Sequence, residues 1–221
     1  MIQKSKVAVI GLGNIGSAIA TNLVKAHRSV IVADRKIEKA NKLSEKLGIL
    51  AQPKEILDAI KEADIVVLAI WFDGIKAFFK TYATELEGKI IVDPSNPIVP
   101  DEQERFKKVI DKDQSAGEIL SSLLPKGAKL AKALGTLGVG SLSKAAFQQP
   151  YKAVLFYATD DTSINSDIEQ LIVDIGFEPI RVGGLDQSIR IEAFGDLHEF
   201  GALGKTVTSS EAKAKLHLFA R

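Results

Sequence analysis

Short apolar runs alternate with amphipathic stretches along most of the chain. Val7–Ile10 is apolar throughout and predicts a strand. Residues 14–26 carry Ile15, Ile19, Leu23 and Ala26 on one face at helical spacing. Val30–Ala33 reads as a second strand, and Ile37–Leu47 as a charged amphipathic helix stopped by Gly48. Residues 54–63 predict a short helix opening after Pro53. Residues 65–70 are continuously apolar, as in a strand covered on both faces of a parallel sheet. Residues 89–92 form another strand candidate, closed by "DPSNP". A helix is expected over 116–124, ended by Pro125, and a strand over 129–134, where apolar and basic residues alternate. This β-α alternation predicts an α/β fold with a doubly wound, mainly parallel sheet.

The remainder changes character. Residues 135–150 are rich in Gly, Ser and small side chains and read as a connection. Residues 153–158 predict a strand. Ile164, Ile168, Leu171, Ile172 and Ile175 follow helical spacing up to Gly176. Residues 180–182 make a last short strand. From Asp186 a longer helical pattern runs through Ile189, Ala193, Phe194, Leu197 and Phe200. The expectation is a domain over 1–145 and a short C-terminal α/β extension, 146–221, covering its cleft. The alternative is that the last strands extend the first sheet. The tail from Lys213 is too short to interpret.

Composition narrows the chemistry. The 221 residues include no cysteine, which excludes disulfides, thiolate metal sites and a thiol nucleophile. Lys plus Arg total 29 and Asp plus Glu 28, a balance that gives no reason to expect nucleic acid or an anionic membrane as partner. The start has the bases and apolar stretch of a signal peptide, but glycines and Asn14 interrupt it. The longest apolar run, 65–72, is far below the ~18 residues that span a bilayer. A soluble, cytoplasmic protein is expected. No two histidines have metal-ligand spacing, so no metal is expected.

The strongest local signal is Gly11-Leu12-Gly13-Asn14-Ile15-Gly16. It fits G-x-G-x-x-G, follows a strand, opens a helix, and precedes an acid about 20 residues on, at the end of the next strand. In a Rossmann-type unit the first glycine permits the tight turn and the second lets backbone approach a pyrophosphate. The third lets helix pack on strand, while the helix N-terminus offers free N–H groups to phosphate. The acid is Asp34, and bases follow at Arg35, Lys36 and Lys39. A carboxylate here ordinarily accepts from ribose hydroxyls and argues for NAD. Arg35 can fork onto a 2′-phosphate and argues for NADP. Two unit charges ~4 Å apart interact by about 4 kcal/mol at an effective dielectric near 20, so a carboxylate held against that phosphate is costly. Asp34 can also rotate away to cap the next helix. The residues alone leave the cofactor open.

Across "VAVIGLGNIGSAIA", "ADRKIEKA", "ADIVVLAIWFDGI", "SAGEILSSLLPKGAKLAKALGTL" and "GFEPIRVGGLDQSIRIEA", the chain resembles the NADP oxidoreductases that use the deazaflavin coenzyme F420. Their relatives include the nucleotide-binding domain of membrane ferric reductases. In that family a Ser or Thr, an Arg and a downstream Lys or Arg hold the 2′-phosphate. The resemblance carries these to Asp34, Arg35 and Lys39, of which Asp34 departs. Ala69, Ile70 and Trp71 border the nicotinamide. Asn96 and Pro97, counted with the cofactor site, and Gly135, Thr136 and Leu137, counted as the substrate side, face the hydride acceptor. F420-binding members can carry a histidine where this chain has Gly135. A family arginine is shifted by one, to Arg190, while Glu192 matches.

The resemblance implies NADP(H), with F420 or a flavin as co-substrate, and a homodimer is a further expectation. No catalytic acid or base is assigned. Hydride transfer to a flavin-like ring needs orientation and dry surroundings more than proton transfer. Two other functions compete: an imine or carbonyl reductase resembling pyrroline-5-carboxylate reductase, and a nucleotide-sensing protein without turnover. For Trp71, packing at a strand end competes with a cleft wall. Asn96 reads slightly better as a turn residue than as a ligand, and His198 better as a satisfied structural residue than as a proton donor.

Overall fold

The computed structural model describes residues 4–103 and 105–219, with no account of side chains from 217 onward. In chain order the first half contains β1 (Val7–Ile10), α1 (Asn14–Lys25), β2 (Val30–Ala33), α2 (Ile37–Leu47) and β3 (Ala51–Pro53). It continues with α3 (Ile56–Glu62), β4 (Ile65–Leu68), α4 (Phe72–Thr81) and β5 (Ile90–Asp93). A small hairpin follows, β6 (Ile98–Pro100) against β7 (Phe106–Lys108). Then come α5 (Ala116–Ser121), β8 (Lys129–Ala133), α6 (Val139–Lys144), β9 (Val154–Ala158) and α7 (Asn165–Asp174). The described chain ends with β10 (Glu178–Gly183), α8 (Ser188–Ile191) and α9 (Ser209–Phe219).

The main sheet has eight strands in the order β10-β9-β8-β5-β4-β1-β2-β3. All neighbouring pairs are parallel except β8–β9, which is antiparallel. The central strands are apolar on both faces because both are covered. Val7, Val9, Ile65 and Val67 join one buried cluster, and Ala8, Ile10, Val66 and Leu68 join the other. The strands beyond residue 146 extend this same sheet, which was the alternative left open by the sequence. They form no separate sheet.

The structure corrects the sequence in several places. The helix expected from Asp186 to Phe200 stops at Ile191, with Glu192 extended (ψ 165). Phe194 takes a left-handed φ of 73, so turns carry the chain onward instead. Residues 135–150 hold α6 as well as a connection, and β3, α4, β6, β7 and α9 had not been anticipated. Lys132, one of the basic residues in the alternation over 129–134, is 2% exposed. Its strand register sets it beside Asp93 of β5, and their ion pair spans 2.8 Å. Asp93 also accepts the Ser95 N–H at 2.7 Å. Each buried charge therefore has partners, the condition for tolerating it.

Candidate active site

The carboxyl ends of β1, β4, β5 and β8 open onto one cavity of about 440 Å³. Ligand sites in open α/β sheets lie at this edge, where strand order reverses. Of the sequence candidates, Gly13, Asn14, Ile15, Ala69, Ile70, Trp71, Asn96, Gly135 and Leu137 line it. Gly11, Leu12 and Gly16 shape the turn behind it, and Pro97 and Thr136 are buried outside the wall. Asp34, Arg35 and Lys39 sit apart from the cavity, at the end of β2 and the start of α2. The sequence had not singled out Pro94, Ser95, Ile98, Phe106, Val139 or Phe200, which also line it. No local pattern marks them, because the fold gathers them from separate connections.

The glycines divide the work as local sterics require. Gly11 sits at φ +91, closed to most side chains, and its N–H donates to Ala33 across the sheet at 2.9 Å. A Cβ on Gly16 would lie 1.9 Å from the Gly11 carbonyl oxygen, so only glycine lets α1 sit this close. A Cβ on Gly13 would meet nothing within 4 Å. That open space lies where α1 begins with no side-chain cap and no acid in its first turn. The first-turn N–H groups, which no helical carbonyl can satisfy, are left with the positive end of the dipole for an anion.

Asp34 faces back onto the chain. One oxygen accepts the Leu12 N–H at 2.9 Å and the other the Lys36 N–H at 3.2 Å. Lys39 Nζ lies 3.8 Å from the first of these oxygens. The carboxylate thus ties the glycine turn to the start of α2. Arg35 beside it is exposed.

The far end of the cavity is knotted around Gly135. Its carbonyl accepts from Asn96 Nδ2 at 3.1 Å and bonds His198 Nε2 at 3.0 Å. The Asn96 oxygen accepts the Ala193 N–H at 2.6 Å. The Phe200 N–H donates to His198 Nδ1 at 2.9 Å, which fixes Nε2 as the protonated nitrogen of a neutral ring. Burial pushes the His198 pKa down to about 4. His198 is therefore a satisfied structural residue, and Asn96 spends its amide on the chain. Glu192 is buried and accepts the Ala116 and Gly117 N–H groups, each at 3.0 Å. Burial raises its pKa. Glu199 accepts from the Gly138 N–H and the Ser141 hydroxyl, closing the start of α6.

Residues 6–97 match the family described as NADP oxidoreductase coenzyme F420-dependent. The matched stretch holds the glycine turn, Asp34 and the exit of β4. The family's class is NADP-dependent oxidation and reduction. The F420-dependent NADP reductase of Methanocaldococcus jannaschii is 26% identical over 206 residues, covering 87% of this chain and 90% of that protein. Metalloreductase STEAP3 of Rattus norvegicus is 27% identical over 191 residues, 86% of this chain, but the match spans only 36% of STEAP3. Among solved structures, a hypothetical protein from Sinorhizobium meliloti superposes with a TM-score of 0.79 at 29% identity. That superposition covers 93% of this chain and 96% of the other. Gly135 is hemmed in by the backbone that follows β5. A Cβ there would stand 2.4 Å from the Pro94 carbonyl oxygen, so this backbone has no room for histidine. Among the described helices none is long and apolar enough to cross a membrane.

Proposed function

We propose that the chain binds NADP(H) and exchanges a hydride with a flat, conjugated acceptor, F420-like deazaflavin and flavin being the rings that the family implies. The observation that carries this reading is the uncapped, acid-free start of α1, opening onto an apolar cavity. The residues fit the cofactor in kind. Gly13 leaves space for a pyrophosphate, the first-turn N–H groups of α1 can hold it, and Arg35 and Lys39 supply cations for a 2′-phosphate. When bound, NADP(H) supplies the hydride. Ala69, Ile70 and Trp71 flatten one wall of the cavity beside it, and the knot of Asn96, Gly135 and His198 fixes the opposite end. Neither Asn96 nor His198 is free to move a proton, which suits hydride transfer and disfavours chemistry that must protonate a hydroxyl or imine.

Equilibrium titration tests the cofactor. NADPH should bind at least about 10-fold more tightly than NADH, the ratio expected when one phosphate gains a charge-assisted contact. Tighter binding of NADH would overturn the assignment.

A further inference from the structure

Trp71, Phe106, Val139 and Phe200 line the cavity and are all exposed. Exposed apolar side chains gathered at a cleft mark a binding surface. Phe200 is set apart from the others by how it is held. It is 58% exposed, so burial contributes little to placing it. Yet its N–H donates to His198 Nδ1 at 2.9 Å, and His198 is itself bonded to the Gly135 carbonyl. The Gly201 N–H donates to the His198 carbonyl at 2.9 Å. Glu199 donates its N–H to the Thr136 carbonyl at 3.0 Å and accepts the Gly138 N–H at 2.7 Å. The Phe200 ring lies against the His198 ring, with centroids 5.5 Å apart and planes tilted 47°. Its outer edge rests on Gly138, where a Cβ would stand 2.5 Å from Cζ, so a larger residue would displace the ring. An aromatic ring fixed at a cleft with more than half its surface open is ordered before a ligand arrives. A second ring stacking on it does not have to order it again.

Sheet order decides which ring that is. Gly138, under Phe200, follows β8, and β8 lies two strands from β4 and three from β1. At about 4.8 Å per strand, this side of the cleft is roughly 14 Å from the glycine turn. The dinucleotide proposed at α1 would lie against Ala69–Trp71 after β4, which leaves the β8 side to the acceptor. We propose that Phe200 is the specificity-determining surface of the acceptor site, with one face of the acceptor's conjugated ring stacked on it. His198, Glu199 and Gly138 are the residues that hold Phe200 in position. The proposal rests on the reading that NADP(H) passes a hydride to a flat acceptor. Stacking selects for a π-face, so an aliphatic cyclic imine gains little from Phe200.

Riboflavin and 5-deazariboflavin carry the two candidate rings without a charged tail, and flavin fluorescence is quenched by stacking on an aromatic side chain. The full chain is titrated with each, with and without NADP+. NADPH is titrated separately through Trp71, the single tryptophan. Phe200→Ala and Phe200→Leu should each weaken both rings about 10-fold and raise the riboflavin KM rather than lower kcat. Phe200→Tyr, which keeps the flat face, should stay within about 2-fold of the parent. NADPH affinity should be the same in all three. Gly138→Ala pushes the ring aside, so it should weaken riboflavin about 10-fold in the parent and have no further effect in Phe200→Ala. Parent-like affinity in Phe200→Leu overturns the proposal, because an apolar cover would then suffice. Losses that add in the double variant, or that fall on NADPH as heavily as on riboflavin, overturn it too. If the parent binds neither ring, the flat-acceptor reading falls and the role of Phe200 falls with it. If the parent binds and reduces riboflavin and Phe200→Ala does so equally well, only the role of Phe200 falls.

Discussion

Asp34 carries a charge that the chain already uses. Its oxygens hold the Leu12 and Lys36 N–H groups, and Lys39 stands 3.8 Å away. A 2′-phosphate beside it would compete with that carboxylate for Lys39. Removing the charge as Asp34→Ser should therefore raise the preference for NADPH over NADH by about 10-fold or more, given the several kcal/mol such like charges cost. Stability should fall by about 1–2 kcal/mol as the Leu12 N–H loses its acceptor. Parallel nucleotide titrations and thermal melts check both. The sequence shows every residue of this arrangement but not the rotamer that decides it, because nothing local forces Asp34 toward Leu12. His198 makes the complementary case. Its ordinary value is 6.5, and burial lowers it to about 4 in the fold. The unfolded chain then binds more protons between those values, so His198 costs stability as pH falls from 6.5 toward 4. Glu192, whose pKa is raised, works in the opposite sense, favouring the fold as pH falls toward its ordinary value. Denaturation across that window should show a loss of up to about 3 kcal/mol attributable to His198. It should be absent in His198→Asn, whose side chain does not titrate.

Among the elements, α1 separates the part of the motif that packs from the part for which a ligand role is proposed. A Cβ at position 16 would collide with the Gly11 carbonyl at 1.9 Å, whereas one at position 13 meets nothing within 4 Å. Gly16→Ala should destabilise the fold by about 1–3 kcal/mol through overpacking. Gly13→Ala should melt like the parent yet lose NADPH affinity by about 10-fold or more, because the methyl enters the phosphate's space. Equal melting of the two variants would mean that α1 can shift, and the division of roles would be wrong. The strands and helices near this motif were legible because their periodicity is local and their burial two-sided. The segment from Asp186 to Phe200 was misleading for the opposite reason. Its apolar spacing suits a helix, but Glu192 turns its carboxylate onto the start of α5, and Phe194 adopts a left-handed φ. Those contacts join distant parts of the chain, and no window of sequence contains them.

At the scale of the molecule, the cleft is closed by residues far apart in the chain. Asn96 follows β5 and Ala193 follows α8, 97 residues later, yet one amide joins them and also reaches Gly135 after β8. The eight-stranded sheet makes this reach short, since β5 and β8 are neighbours and β9 turns back against β8. Behind the knot, the buried Lys132–Asp93 pair pins the same two strand ends, and Lys132 also donates to the Ser95 carbonyl. The proposed acceptor end of the cleft is thus a tertiary construction, and the turn proposed to hold the nucleotide is largely a local one. That difference predicts an asymmetric response to Asn96→Ala. The Ala193 N–H loses its acceptor and the Gly135 carbonyl keeps only His198, a loss of about 2 kcal/mol from the fold. The damage should concentrate in residues 192–203, where turns rather than helix carry the chain. Limited proteolysis should cut that segment faster in the variant while β1 to β4 stay protected. Acceptor affinity should fall by more than NADPH affinity, because α1 and Asp34 share no hydrogen bond with Asn96 among the described residues. Equal losses at both ends would mean that the cleft responds as one rigid unit, and the separation of a locally built nucleotide end from a tertiary acceptor end would fail.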